Sequence, residues 1–111
     1  MAGVVHIPWY ATLFRGDKLQ AAVEEIAPVA LRYGATEYAI YRSRDDAYKI
    51  LQMATFAEHS DFERYWYGEE FSLWRAEFSS FYQVPQLYNW QTLIVRAGIG
   101  ELEGLTVPNG G

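Results

Sequence analysis

The sequence contains no cysteine, so disulfide bonds, thiolate nucleophiles and cysteine-ligated metal sites are excluded. A cysteine-free chain suits a reducing compartment, and we therefore expect a cytoplasmic protein. The sequence also lacks a run of about 18 apolar residues, and no basic start precedes a long apolar stretch. Neither membrane spanning nor export is expected.

Positive charge is scarce as well. The chain has 9 Lys and Arg but 14 Asp and Glu, which gives a net charge of −5. The two lysines, Lys18 and Lys49, lie far apart in the sequence. Nucleic-acid binding needs clustered cations, so no nucleic-acid partner is expected. The two histidines, His6 and His59, have no nearby ligand pair, which argues against a metal site. Hydrolase, NTPase and dinucleotide-binding motifs are absent too.

Aromatic residues, by contrast, are abundant. They make up 17% of the 111 residues, with 4 Trp, 9 Tyr and 6 Phe. A single domain of this length buries only about two-thirds of its unfolded surface, which leaves little room for so many large rings. The excess predicts a second buried surface, either a dimer interface or a cavity for a small aromatic ligand.

The first half of the chain predicts a strand, a helix and a second strand. Residues 4–14 are β-branched and aromatic, and Pro8 should place part of this strand at an edge or bulge. Asp17 is a candidate N-cap for a helix that runs to residue 33, with a kink at Pro28. Gly34 is suited to end that helix. Residues 36–41 alternate as a strand does.

The second half repeats this order. Residues 47–56 should pair with the preceding strand as a hairpin. Ser60 and Glu63 form a capping box that should open a helix, which Gly68 interrupts before it resumes to about residue 81. Residues 86–95 predict a fourth strand. We expect one domain over residues 1–96, followed by a glycine-rich tail at 97–111.

The predicted strands are apolar on both faces. In the third strand Ile50 and Phe56 share one parity, whereas Leu51 and Met53 share the other. Two helices can cover one face of a sheet, and no further element is available for the second. We therefore expect a homodimer in which two sheets pack face to face.

Three segments resemble the antibiotic biosynthesis monooxygenase family of the dimeric α/β-barrel superfamily. They are the helix-to-strand passage at residues 26–38, the hairpin at 41–46, and the passage from the third strand into the aromatic helix at 56–63. The resemblance implies an α+β, ferredoxin-like βαββαβ fold with a four-stranded antiparallel sheet that forms a dimeric α/β barrel. It also implies a pocket between the sheet and the helices.

The resemblance and the residues together suggest a candidate site. Polyketide oxygenases of this family line the pocket with a Trp and a Tyr from the second helical region, which corresponds here to Trp66 with Tyr65 or Tyr67. Trp74 lies nearby in sequence and is a further candidate for substrate binding. His6 or Arg75 is the candidate catalytic residue, because either could stabilise an anionic substrate.

The family includes cofactor-free monooxygenases acting on phenols or quinols, haem-degrading enzymes and proteins without a known reaction. The first strand lacks the Asn that the haem-degrading branch uses. The first hypothesis is thus a cofactor-independent monooxygenase-like protein for a small phenolic or polycyclic aromatic compound. The alternatives are a non-catalytic dimer that binds an aromatic metabolite, and isomerase or lyase chemistry.

Overall fold

A computed structural model describes residues 2–99 and shows one sheet with every helix packed on the same face. The elements in chain order are β1 (Gly3–Tyr10), α1 (Gly16–Ile26), a 3-10 segment (Ala27–Tyr33), β2 (Ala35–Arg42), β3 (Lys49–Phe56), α2 (His59–Trp66), α3 (Glu69–Glu77) and β4 (Asn89–Thr92). The strand order is β2-β3-β1-β4, and all neighbours are antiparallel. The predicted α+β, ferredoxin-like fold is confirmed.

Alternation along the central strands separates the two faces of the sheet. In β1 the side chains of Val5, Ile7 and Trp9 point toward the helices and are buried. Those of Val4 and His6 point to the opposite side, which we call the outer face. Such period-two burial is the property that made β1 recognisable in the sequence.

β1 is shorter than predicted. It ends at Tyr10, and Phe14 lies in a turn with φ of +65°, closed by the N–H of Arg15 donating to the carbonyl of Thr12. Pro8 was expected at an edge or bulge; β1 is an interior strand, but the end that carries Pro8 has no partner on the β4 side, as at an edge. The strand tolerates Pro8 because β4 pairs with β1 only as far as His6, so no ladder hydrogen bond is needed there.

The first helix also differs from the prediction. It begins at Gly16, with Arg15 at the N-cap position and Asp17 in the first turn, so the predicted Asp17 cap is wrong. The α-helix changes to a 3-10 segment at Ala27, and this change takes the place of the kink expected at Pro28. Gly34 follows with φ of +103°, a left-handed conformation that favours glycine, and confirms the predicted end.

The hairpin of β2 and β3 and the helix break at Gly68 are confirmed. The capping box is wrong, because α2 begins at His59 and no side chain caps it. The fourth strand is shorter than expected, since only Asn89–Thr92 pairs with β1. Of the predicted tail, residues 100–111 lie outside the described residues.

A short stretch of chain crosses the outer face. Residues 93–97, called here the crossing segment, leave β4 and pass over Val4 and Met53. At its far end Arg96 pairs with Glu37 of β2 at 2.7 Å and donates to Thr55 of β3 at 3.1 Å. The crossing segment covers part of the outer face, and α1, α2 and α3 lie on the other side.

Arg42 joins three parts of the fold. Its Nε donates to the carbonyl of Ala47 at 2.6 Å, and its Nη1 donates to Gln20 at 2.6 Å and to Asp17 at 3.2 Å. Since the side chain is only 26% exposed, these contacts are partly shielded from water. Arg42 thus ties the start of α1 to the end of β2 and to the following turn.

We expect Arg42→Ala to lower the free energy of unfolding by about 1–2 kcal/mol, because charge-assisted hydrogen bonds are lost. Urea denaturation followed by circular dichroism measures the change. Arg44→Ala, an exposed arginine in the same hairpin, is the matched control and should shift it by less than about 0.5 kcal/mol. Equal effects of the two substitutions would show that the Arg42 contacts contribute nothing specific.

Candidate functional site

An aromatic layer fills the space between the sheet and the helices. Trp9 of β1 is 1% exposed and lies at its centre. The ring centroids of four aromatic residues lie 4.9 to 6.4 Å from that of Trp9: Trp66, Phe71, Trp74 and Tyr82. Trp66 and Trp74, both singled out in the sequence, therefore pack against Trp9 of β1.

Tyr65 and Trp74 use their polar atoms inside the protein. The Tyr65 hydroxyl donates to the carbonyl of Ile26 at 2.6 Å and accepts from the amide of Gln52 at 3.0 Å. The Trp74 indole donates to the carbonyl of Ala22 at 2.8 Å. Burial raises the pKa of Tyr65 well above its usual value, so this phenol stays neutral. Both residues shape the site, and neither offers a free polar atom to a ligand.

Arg75 lies directly over Trp66. Its guanidinium carbon is 4.2 Å from the centroid of the Trp66 ring and 5.0 Å from that of Phe71. The Nη1 atom is buried and donates no hydrogen bond, while Nη2 makes one long contact to Ser72 at 3.4 Å. Arg75 forms no ion pair in the described part of the chain, and burial lowers its pKa. A cation with an unused donor on an aromatic floor is suited to bind an anion.

Two tyrosines border Trp66 and Arg75. Tyr67 follows α2 and is 64% exposed, whereas Tyr88 precedes β4 and is half-buried. The Tyr88 ring packs edge-on against Trp66 with centroids 5.4 Å apart. Hydrogen bonding with Tyr67, together with partial burial, raises the pKa of Tyr88. Sequence reasoning missed Tyr88 at this site, although its parity with Trp90 could have placed it on the helix side.

His6 lies elsewhere. It points to the outer face, opposite Met53 in β3 and Asn89 in β4, so the sheet separates it from Arg75. The two residues proposed for anion stabilisation are therefore not brought together, whereas Trp66 and Arg75 are. In residues 2–99 no three His, Asp or Glu side chains cluster as metal ligands would. No helix described there is long and apolar enough to cross a bilayer.

Comparison with known proteins gives a match in structure but not in sequence. No family model matches the chain, and no curated protein matches its sequence. A protein of Nitrosomonas europaea, whose name assigns it to the antibiotic biosynthesis monooxygenases, superposes with a TM-score of 0.76. The identity is 13%, over 87% of this chain and 94% of that one.

Two further solved structures extend the match. A protein of Chloroflexus aurantiacus with the same assignment superposes with a TM-score of 0.73, at 15% identity, over 90% of this chain and all of its own length. SnoaB of Streptomyces nogalater, a cofactor-independent oxygenase, gives 0.69 at 15% identity, over 89% and 98% of the two chains. The chain therefore has the fold of the antibiotic biosynthesis monooxygenases.

Proposed function

We propose that this protein is a cytoplasmic, monooxygenase-like homodimer that acts without a cofactor on a small phenolic, quinol or polycyclic aromatic compound. The observation that carries the proposal is the buried, unpaired Nη1 of Arg75 above the ring of Trp66. The fold that the chain shares with the cofactor-independent oxygenase SnoaB supports the reaction class.

A deprotonated aromatic substrate matches the chemistry of this site. Its anionic oxygen would give Nη1 of Arg75 the acceptor that it lacks, and its ring would pack against Trp66. Because Trp66 is only 6% exposed, a ligand reaches the ring after Arg75 or Tyr88 moves aside. Tyr67, at the rim, is placed to contact the outer part of such a ligand.

Arg75 also supplies a role in the reaction. A nearby cation lowers the pKa of a bound phenol and so favours its electron-rich anion. That anion itself reduces dioxygen: a ring C–H and the phenolate C–O⁻ become the two C=O groups of a quinone, one oxygen atom is retained at the former C–H carbon, and the other leaves as water with that hydrogen and the proton that the phenol released. The protein's part is to hold the anion, exclude water and keep the reacting carbon accessible to oxygen.

The test is binding of 1-hydroxy-2-naphthoate, an anionic phenolic probe, followed by its fluorescence. Arg75→Gln should weaken binding about tenfold or more, because a charge-assisted hydrogen bond is lost. Arg64→Gln, an exposed arginine paired with Asp61, is the matched control and should leave binding unchanged. The ligand site is refuted if wild type and Arg75→Gln bind equally or if neither binds.

A binding protein without catalysis is the second candidate. The observation that favours it is that neither Arg75 nor Tyr65 is suited to act as a base: Arg75 is a cation over Trp66, and the Tyr65 hydroxyl is buried and engaged with Ile26 and Gln52. Oxygen uptake with quinols in metal-free buffer separates the two candidates. Uptake that rises with protein concentration and falls in Arg75→Gln supports the oxygenase, whereas probe binding without uptake supports the binding protein.

The outer face supports the proposed homodimer. The helices α1, α2 and α3 lie on one side of the sheet, and the outer face carries apolar side chains from three strands. They include Val4, Pro8, Ala39, Tyr41, Leu51 and Met53. The crossing segment covers only part of them. A second copy packed sheet to sheet would bury the remainder, which is the common solution for such a surface.

A further inference from the structure

The site at Arg75 leaves His6 without a role. His6 is half-buried on the outer face, between Met53 and Asn89 in the register of the sheet. Its imidazole makes no hydrogen bond, ion pair or ring contact in the described part of the chain. An imidazole carries two ring nitrogens that can form hydrogen bonds, and neither is used by a partner within residues 2–99.

His6 opens into a groove between the sheet and the crossing segment. The groove is open to solvent on one side and has a volume of about 460 Å³, enough for one or two aromatic rings. Val4, His6 and Met53 form its floor, and residues 91–97 form its wall. The groove is distinct from the site formed by Trp66 and Arg75, because the two lie on opposite faces of the sheet.

The charges of this groove are already balanced. Arg96, at its end, is paired with Glu37 at 2.7 Å and donates to Thr55 at 3.1 Å. The rest of the wall is largely apolar, with Ile94 and Val95 among its members. Burial of an unpaired charge there would be costly, so an uncharged ligand is favoured.

We propose that the groove is a second ligand site, which binds an uncharged phenol or alcohol of one or two rings. The ligand's hydroxyl donates to the free nitrogen of His6, and its rings pack against Val4 and Met53. The proposed ligand differs in charge from the anion at Arg75, so the two sites select different forms of an aromatic compound. A second copy on the outer face would close the open side of the groove.

The first test uses 2-naphthol, which is uncharged near neutral pH, and proton NMR of the histidine rings. The chain has two histidines, so both can be followed in one spectrum. The His6 signals should shift with added 2-naphthol. Those of His59, whose ring packs against Trp90 on the helix side, should stay fixed. The proposal is overturned if the His6 signals do not respond, as when the partner's own side chains fill the groove.

Substitutions in the groove then test whether 2-naphthol binds there. His6→Leu should weaken 2-naphthol binding about fivefold, the effect of one hydrogen bond, whereas His6→Gln should stay within about twofold because it keeps an acceptor. Met53→Trp should abolish the 2-naphthol shift of the His6 signals by filling the space, and Arg75→Gln should leave that shift unchanged. Equal weakening by His6→Leu and Arg75→Gln would place the ligand at the other site and overturn the proposal.

Discussion

Trp9→Ala lowers the free energy of unfolding by about 3–5 kcal/mol, the range for large-to-small substitutions in a packed core. The ring is 1% exposed and contacts four other aromatic rings, so its removal leaves a cavity that rigid neighbours cannot fill. The substitution also removes the 3.0 Å hydrogen bond from the Trp9 indole to Gln52. Gln52 is itself 1% exposed, and its carbonyl oxygen would lose this donor.

The loss is large relative to the 5–15 kcal/mol that typically stabilises a domain. Urea denaturation measures it, with near- and far-ultraviolet circular dichroism as two probes whose transitions should coincide. Trp90→Ala is the matched control, because Trp90 lies at the sheet edge and is only half-buried. If the two substitutions cost the same, Trp9 is not the centre of the core.

Local patterns were sufficient to identify most strands and helices. Alternation is a property of neighbouring residues, so Val5, Ile7 and Trp9 indicate a strand without knowledge of its partners. Gly34 marks a helix end for a similarly local reason, since its positive φ is one that other residues adopt at a cost. Features that depend on a single residue, or on the alternation of neighbouring residues, could thus be predicted from the sequence.

Boundaries set by distant contacts were not predictable. The capping box at Ser60 failed because α2 begins at His59, directly after the short passage from β3. Residues 86–95 looked like a long strand, but β4 is limited to the four residues that find partners on β1. In both cases the local sequence pattern is a reasonable one, but contacts with distant parts of the chain determine where the element begins or ends.

The candidate site was likewise predictable from the sequence only in part. Trp66 and Arg75 could be proposed from the sequence because both lie in the aromatic helical region. His6 lies three residues before Trp9 in β1, so its side chain points to the opposite face. Because the helices pack on the Trp9 side, His6 lies on the outer face. Tyr88 reaches Trp66 only because β4 pairs with β1 in a particular register, and sequence alone does not specify a register.

Leu51→Asp is expected to dissociate the proposed dimer. Leu51 lies on the outer face of β3, between Pro8 of β1 and Tyr41 of β2, and away from the crossing segment. Each desolvated carboxylate costs several kcal/mol. A two-fold interface contains the substitution twice, so the dissociation constant should rise at least about 100-fold. Sedimentation velocity over a range of concentrations should show a wild-type dimer and a variant monomer.

Leu73→Asp is the matched control for this experiment. Leu73 is 61% exposed on α3, in the helical layer on the far side of the sheet, so an Asp there stays hydrated. It should leave both the dimer and the unfolding transition unchanged. The variant Leu51→Asp must itself remain folded, because a monomer with native circular dichroism separates loss of the interface from loss of the fold. A wild-type monomer, or a Leu51→Asp variant that stays dimeric, would show that the outer face is not where two copies meet.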